Sequence, residues 1–530
     1  MGTLQGLQSG ALNPLDWMLA LLPILSVLVL MLRFRWGGVS AGAVGWAVAL
    51  VVAALRFGAG WRLLGYAQLK GLLLTLYVLY IIWSALLFYR VTEEAGAVAA
   101  IGDGLPRLTP DRGLQALLLG WAFASFLQGM GGFGVPVAVV APLLVGLGFP
   151  PVAAVVIPSV GHPWAVTFGS LGLSFFALVA ATDYGGQALA PFAAVTLGLA
   201  CLGCGAGTLW AAGGKRTFMA GLAPLLLIGI AMAGVQYLVV SHGLWSVGSL
   251  LGGLAGLAVG VAWARWRRPH GAPSSAEEAT PGARSRMPLG WALAPYALLV
   301  VIVMVAQIPA IGEFLDRVTI KAEFPQLVTA RGWVNPAGAG RSISVFGHAG
   351  ALLTYSSLAA YALFRWRRAY RPGAVRAIAS GVAKRAINAS LGTAAVVGMA
   401  VTMEHAGMTY LLAAGLARVA GRAFPAISPF IGALGAFMTG SNTNSNVIFA
   451  GLQDQVALLI GVSPFVILAA QTAGGAIGSA FAPAKIIVGC STVGGQGTES
   501  AVLRAVMRYG LAIIAGLAVA TVVLAYVVRP

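Results

Sequence analysis

Gln128-Gly129-Met130-Gly131-Gly132-Phe133-Gly134-Val135-Pro136 interrupts membrane-grade sequence between the apolar stretches 113–127 and 137–148. Half a chain later, Gly398-Met399-Ala400-Val401-Thr402-Met403-Glu404-His405-Ala406-Gly407 interrupts it again, between 389–397 and 408–417. Each is followed by a Phe-Pro step, Phe149-Pro150 and Phe424-Pro425, and then by a polar break in the next apolar segment. Those breaks read Ser159-Val160-Gly161-His162-Pro163-Trp164 and Thr439-Gly440-Ser441-Asn442-Thr443-Asn444-Ser445-Asn446. In hydrocarbon, backbone polar groups must be satisfied by the protein itself, so helices break at membrane depth only where protein or a cavity surrounds them. Interrupted segments at corresponding places in two halves point to the substrate site of a secondary transporter.

Composition sets the same class. With 59% hydrophobic and 9% charged residues and a mean hydropathy of +0.90, the chain is too apolar for a soluble protein of this length. Runs long enough to span the roughly 30 Å hydrocarbon core fall near 17–32, 38–55, 71–89, 151–180, 188–211, 218–240, 243–264, 289–311, 344–364, 425–461, 464–490 and 506–528. The expected fold is therefore an all-α polytopic membrane protein of about 12 transmembrane helices plus two re-entrant hairpins, 113–148 and 386–418. The 72 glycines suit close helix packing. The start lacks a basic n-region, so the first apolar run reads as a span rather than a cleavable signal.

The first membrane half, 1–265, holds the hairpin 113–148 and a broken helix at 151–180. A Pro-, Ser- and Glu-containing linker, 266–288, divides the chain. The second half, 289–530, holds the hairpin 386–418 and a broken helix at 425–461. A second polar stretch, 312–343, falls on the opposite face from the linker. Segments 91–112 and 366–385 precede the hairpins and read as interfacial. The first carries Glu93, Glu94, Asp103 and Asp111, the second almost only Arg and Lys. Opposite bias argues for an inverted repeat, whereas an even number of spans between the hairpins argues for one shared side; inversion stays open.

The net charge of +18 falls in short loops: Arg265-Trp266-Arg267-Arg268, Arg284 and Arg286, and Arg365-Trp366-Arg367-Arg368 on to Arg385. That is orientation charge of the positive-inside kind, which makes these loops cytoplasmic and implies no nucleic-acid partner. Cys201, Cys204 and Cys490 lie in apolar segments and read as packing residues, and no Cys/His set has zinc spacing, so neither metal nor cofactor is expected. Gly129-x-Gly131-x-x-Gly134 matches a dinucleotide fingerprint, but it follows an apolar helix instead of a strand.

Several blocks resemble the bacterial L-lactate permeases, a family of lactate and glycolate proton symporters. They are Gly131–Ala138, Val145–Pro151 and Ala165–Gly172 in the first half; Ser428–Gly432, Thr439–Gln453 and Ala473–Gly478 follow in the second. The resemblance covers most of 110–530 and implies paired re-entrant hairpins with an elevator-like motion. Ser441-Asn442-Thr443 also resembles the Ser-Asn-Thr element of dicarboxylate transporters. The chain departs from the family pattern at Asn442, where Asp is usual, at Ser479 and Lys485, where Lys and Gln are usual, and at His162-Pro163-Trp164. It reads as a divergent branch.

A small carboxylate in a dry cavity needs hydrogen-bond donors, and helix N-termini supply them. Gly131, Gly132 and Gly134 allow close backbone approach. Ser441, Asn442, Thr443, Asn444 and Asn446 offer hydroxyls and amides for a carboxylate and an α-hydroxyl; the plainer reading is that they satisfy a broken helix. Glu404 is the candidate for proton coupling, since an ionisable group in a span costs about 2.5–3.5 kcal/mol; the alternative is a pairing with His405. His162 lines the site or packs structurally. Lys485 attracts the anion or snorkels to an interface. Asp183, Asp454 and Glu499 are weaker candidates.

The sequence thus reads as a plasma-membrane symporter for a small monocarboxylate, lactate or glycolate, driven by protons. The alternative is a sodium-coupled carrier of another organic acid anion, and a homodimer is open. An enzyme is disfavoured, because no His-Glu-x-x-His, Gly-x-Ser-x-Gly or Asp pair lies in the spans.

Overall fold

Asn13 opens the first helix by accepting a hydrogen bond from the Leu15 amide, with Pro14 at the first helical position where its missing N–H costs nothing. From there the computed structural model describes residues 13–34, 36–102, 109–132, 134–267, 287–495 and 497–528. Most of the expected linker 266–288 lies outside these residues, as do Arg35, Asp103 and Phe133.

The chain is almost wholly helical. The first group is α1 (Pro14–Leu32), α2 (Gly38–Leu55), α3 (Trp61–Glu94) and α4 (Ala97–Gly102). Then α5 (Arg112–Gln115), a π-helical stretch (Ala116–Phe123) and α6 (Ala124–Met130) form one buried run, followed by α7 (Val135–Gly146). Next come α8 (Pro151–Gly161), α9 (Leu173–Ala180), α10 (Gly186–Ala220), α11 (Leu222–Ser241) and α12 (Gly248–Trp266). After the linker stand α13 (Leu289–Ala306) and α14 (Pro309–Leu315), set at 90° to each other. Six two-residue strands, β1 (Thr319–Ile320) through β6 (Ile343–Ser344), pair as nested antiparallel ladders and make one β-hairpin. The chain ends with α15 (Ala349–Trp366), α16 (Ala374–His405), α17 (Met408–Ala420), α18 (Phe424–Thr439), α19 (Asn442–Ile460), α20 (Pro464–Gly478), α21 (Pro483–Thr492) and α22 (Glu499–Val527). Among the described residues 11 helical runs are long and apolar enough to cross a membrane, or 12 counting the bent pair α13–α14.

Side-chain contacts sort the helix ends into two faces. On one, Arg90 of α3 reaches the Ala377 carbonyl, Tyr370 bonds the Val91 carbonyl at 3.0 Å, and Arg367 lies 3.9 Å over the Trp291 ring. The arginine-rich turns after α12 and α15 belong to this face, which the positive-inside rule makes cytoplasmic. On the other face, Asp16 holds Arg56 and Arg331, and Tyr184 donates to Asp454 at 2.8 Å. The β-hairpin caps this face, with Ala330 bonded to the Gly58 carbonyl and Asn335 to the His405 carbonyl.

Residues 112–146 form a hairpin entering from the cytoplasmic face: Arg112 at its base contacts the Gly148 carbonyl and the Phe149 ring. The second half differs from the sequence reading. Residues 386–418 do not fold as a hairpin; 374–405 is one 32-residue helix, and the supposed interfacial stretch 366–385 supplies its first turns. The polar signature at 398–407 has another cause. Gly398 makes room for the Trp46 ring, and Trp46, Gln68 and Thr402 form a hydrogen-bonded chain across α2, α3 and α16 that ends on the Gly398 carbonyl. The hairpin of this half is α18–α19. Ser445 bonds the Gly432 carbonyl and Gln453 bonds Ser428, so the two helices lie antiparallel about a tip at Gly440–Ser441. The following segment, α20–α21, breaks at 479–482. The order hairpin, short connection, broken helix therefore occurs at 112–180 and again at 424–492.

Small residues set both crossings. Gly120 and Gly161 let α8 lie against the π-helical arm, and Gly432, Gly474 and Gly478 let α20 lie against α18; a Cβ would meet the Ile157 side chain at Gly120 and a carbonyl oxygen at the other four. Each broken helix ends against the other hairpin: Gly489 of α21 packs on Val137 and Val155, while Tyr184 beyond α9 reaches α19.

Candidate functional site

Polar groups from four breaks converge where the hairpins and broken helices meet. At the first tip, the Gly132 amide donates to Ser170 Oγ at 2.8 Å, and Ser170 and Leu171 donate their amides to the carbonyls of Gln128 and Gly129. Gly134 has φ 85°, a conformation that favours glycine, and Gly131 lies against the Tyr89 ring where a Cβ would clash. The gap beside Gly131, Gly132, Ser170, Tyr89 and Arg385 has no water-sized space.

The second tip carries the densest polar set. Ser441 caps α19, its hydroxyl accepting from the Asn444 amide. Asn442 Nδ2 donates to Thr167 Oγ1 at 3.1 Å and Thr472 Oγ1 at 3.3 Å. Asn446 Nδ2 donates to the Ser174 carbonyl and to Thr472 Oγ1, both at 2.9 Å, and Thr443 shares a 3.0 Å bond with Ser174 Oγ. The Ser174 carbonyl can only accept, which fixes the orientation of the Asn446 amide. Both carboxamide oxygens, Asn442 Oδ1 and Asn446 Oδ1, are buried without a hydrogen-bond partner. An unpaired buried acceptor is costly, so each asks for a donor. Beneath them Gln453, Gln471, Ser428 and Ser445 bond one another and hold the arms in register.

Lys485 stands in the first turn of α21, between Ala482, which meets Gly440 of the second tip, and Val488, which meets Gly134 of the first. Its Nζ donates to Ser479 Oγ at 3.2 Å. Asn442 Oδ1 faces the Gly475 backbone, one helical turn before Ser479, the residue to which Lys485 donates. His162 is buried at the end of α8, donates through Nδ1 to the Pro158 carbonyl at 2.6 Å, and is within Coulombic range of Lys485.

Glu404 and His405 lie elsewhere. They line a cavity of about 290 Å³ on the face opposite the cytoplasmic one, together with Lys70, Asp183, Arg341 and Asp454. His405 is held through Nδ1 on the Val401 carbonyl at 2.9 Å. This vestibule also reaches Val447 and Ile448, the residues after Asn446 on α19. The structure thus brings Gly131, Gly132, Gly134, His162, Asn442, Thr443, Asn446 and Lys485 around one crossing. Asn444 turns instead to Thr393 of α16, at 3.4 Å, and Glu404 and His405 stand in the vestibule.

Sequence reasoning missed Thr167, Ser174 and Thr472, single hydroxyls in apolar runs whose importance comes from partners 269 to 305 residues away, and Ser170, which accepts from the Gly132 amide. It also missed Lys70 and Arg341, the two cations of the vestibule. The only available signal was that Lys70 interrupts an apolar stretch.

The family model described as L-lactate permease matches residues 16–528. The chain is 30% identical over 542 residues to the L-lactate permease of Escherichia coli (strain K12), covering 97% of this chain and 96% of that one. It is 28% identical over 554 residues to the glycolate permease GlcA of the same organism, with the same coverage. Among solved structures, the YdaH transporter of Alcanivorax borkumensis aligns over 85% of each chain with 15% identity and a TM-score of 0.44. By the family match along nearly its whole length, this chain is a multi-pass membrane transporter rather than an enzyme, and it belongs to the L-lactate permease family.

Proposed function

We propose that the chain carries a small 2-hydroxy monocarboxylate, lactate or glycolate, across the cell membrane together with protons. The observation that carries this reading is the pair of free oxygens, Asn442 Oδ1 and Asn446 Oδ1. Acceptors repel a carboxylate but suit an α-hydroxyl, while Lys485, bonded to Ser479 one turn along α20 from Gly475, suits the carboxylate. A hydroxyl donor and an anion side by side are what a 2-hydroxy acid presents. The similarity to lactate and glycolate permeases agrees with that chemistry. In this reading the two hairpin units, 112–180 and 424–492, are an inverted repeat whose tips close over the substrate.

Glu404 is the proposed proton carrier. Its carboxyl lines the outer vestibule, with Lys70 and Asp183 as its charged neighbours. The test is uptake of labelled L-lactate by proteoliposomes under an imposed gradient. An inward proton gradient should drive accumulation, and an inward sodium gradient at equal pH should not. Accumulation driven by sodium alone would favour the second reading, a sodium-coupled carrier, because neutral amide oxygens at broken helices also suit that cation.

A further inference from the structure

The cytoplasmic elbow between α15 and α16 has a groove that the transport reading leaves unused. It measures about 490 Å³ and is lined by Arg365, Arg368, Arg371, Tyr361, Tyr370 and the first residues of α16. Among the described residues none of the three arginines forms an ion pair. The two tyrosines stack at 5.2 Å, and Tyr370 is tied down through its hydroxyl to the Val91 carbonyl at 3.0 Å. Arg368 is held at φ 52°, a left-handed conformation unusual for a residue with a Cβ. Beside the groove, Trp366 is 73% exposed and Arg367 covers Trp291, an aromatic edge of the kind found at the headgroup level of a bilayer.

Orientation charge needs only arginines in a loop. It does not need three guanidinium groups around a concave wall with a strained backbone and locked tyrosines. The geometry points to a binding site for an anionic phospholipid, whose phosphodiester is held by Arg365, Arg368 and Arg371 while its acyl chains run along α15 beside Tyr361. Guanidinium matches phosphate through bidentate hydrogen bonds, and basic pockets between helices on the cytoplasmic side take such headgroups. The ligand would pin the elbow joining two helices of the group that packs around α3.

The purified protein would be melted in mixed micelles containing phosphatidylglycerol or phosphatidylcholine. Phosphatidylglycerol should raise the melting temperature above that in phosphatidylcholine, and R365Q/R368Q/R371Q should lose that increment. The variant R265Q/R267Q, which removes two arginines elsewhere on the same face, should keep it. Loss of the increment in R265Q/R267Q as well would reduce the effect to general surface charge and overturn the site. An equal increment from glycerol 3-phosphate without acyl chains would also overturn it, the ligand then being a soluble phosphate. Should the triple variant fail to fold, native mass spectrometry of the three single Arg→Gln variants decides. Retained phosphatidylglycerol should fall in each, and unchanged retention in all three contradicts the proposal.

Discussion

Asn446 has its amide nitrogen committed to a carbonyl and a threonine hydroxyl, and its oxygen committed to nothing. Replacing it by leucine removes the acceptor. Loss of one buried hydrogen-bond partner costs about 1–3 kcal/mol, so Asn446→Leu should weaken lactate binding roughly 5- to 150-fold. Propionate, which has the carboxylate but no hydroxyl, should bind the variant and the wild type within a few-fold of each other. Competition against lactate uptake measures both, and equal losses for the two acids would mean that the residue only supports the fold. At Lys485 the expectation is complementary: Lys485→Met should weaken lactate and propionate alike, since both carry the charge it attracts. At Glu404, Glu404→Gln should abolish accumulation driven by a pH gradient while counterflow exchange of lactate continues. Persistent pH-driven accumulation in that variant would remove Glu404 from coupling. The polar residues of the second tip were legible because Thr439–Asn446 is a dense polar run between apolar ones. Their orientation was not, because which amide atom stays free depends on Ser174 and Thr472, far away in sequence.

At the scale of elements, the first hairpin can be read from its glycines and prolines, whereas the second lies two helices later than the sequence suggests. A Gly and Thr pattern such as Gly398-x-x-x-Thr402 looks like a break when its partners are unseen. In the fold it is a continuous helix, its polar groups paired with Trp46 and Gln68 of neighbouring helices. The real tip is only Gly440–Ser441, so short that the flanking helices 424–439 and 442–460 read as one broken span. The hairpin is held against α20 by backbone contact at glycines. Gly474→Ala would push a methyl group into the Pro429 carbonyl and should destabilise the protein by about 1–3 kcal/mol, as overpacking does. Gly516→Ala, on a helix surface with open space, should be neutral or slightly stabilising. Thermal unfolding of the two variants checks the contrast, and similar melting points would mean that the α18–α20 crossing yields easily.

At the scale of the whole molecule, α1–α3, α15 and α16 pack together, and the hairpins, the broken helices, α10–α12 and α22 pack together. The two groups meet where α3 faces α9 and α16 faces α19, and α17 links them in sequence. The vestibule opens along this seam, lined by residues of α3, α16 and α19. If the groups slide past each other during transport, a bond across the seam should stop it. Thr393 and Asn444 face each other there, so oxidising the double-cysteine variant T393C/N444C should block lactate uptake, and reduction should restore it. Full uptake by the crosslinked protein would fix that contact as immobile through the cycle. The central claim, that the crossing of tips and breaks holds a 2-hydroxy acid, is tested most directly by a lactate-bound structure. The account predicts the hydroxyl within hydrogen-bond distance of Asn442 Oδ1 or Asn446 Oδ1 and the carboxylate turned to Lys485. Lactate bound instead in the outer vestibule beside Lys70 and Arg341, with both amide oxygens still unpaired, would contradict it.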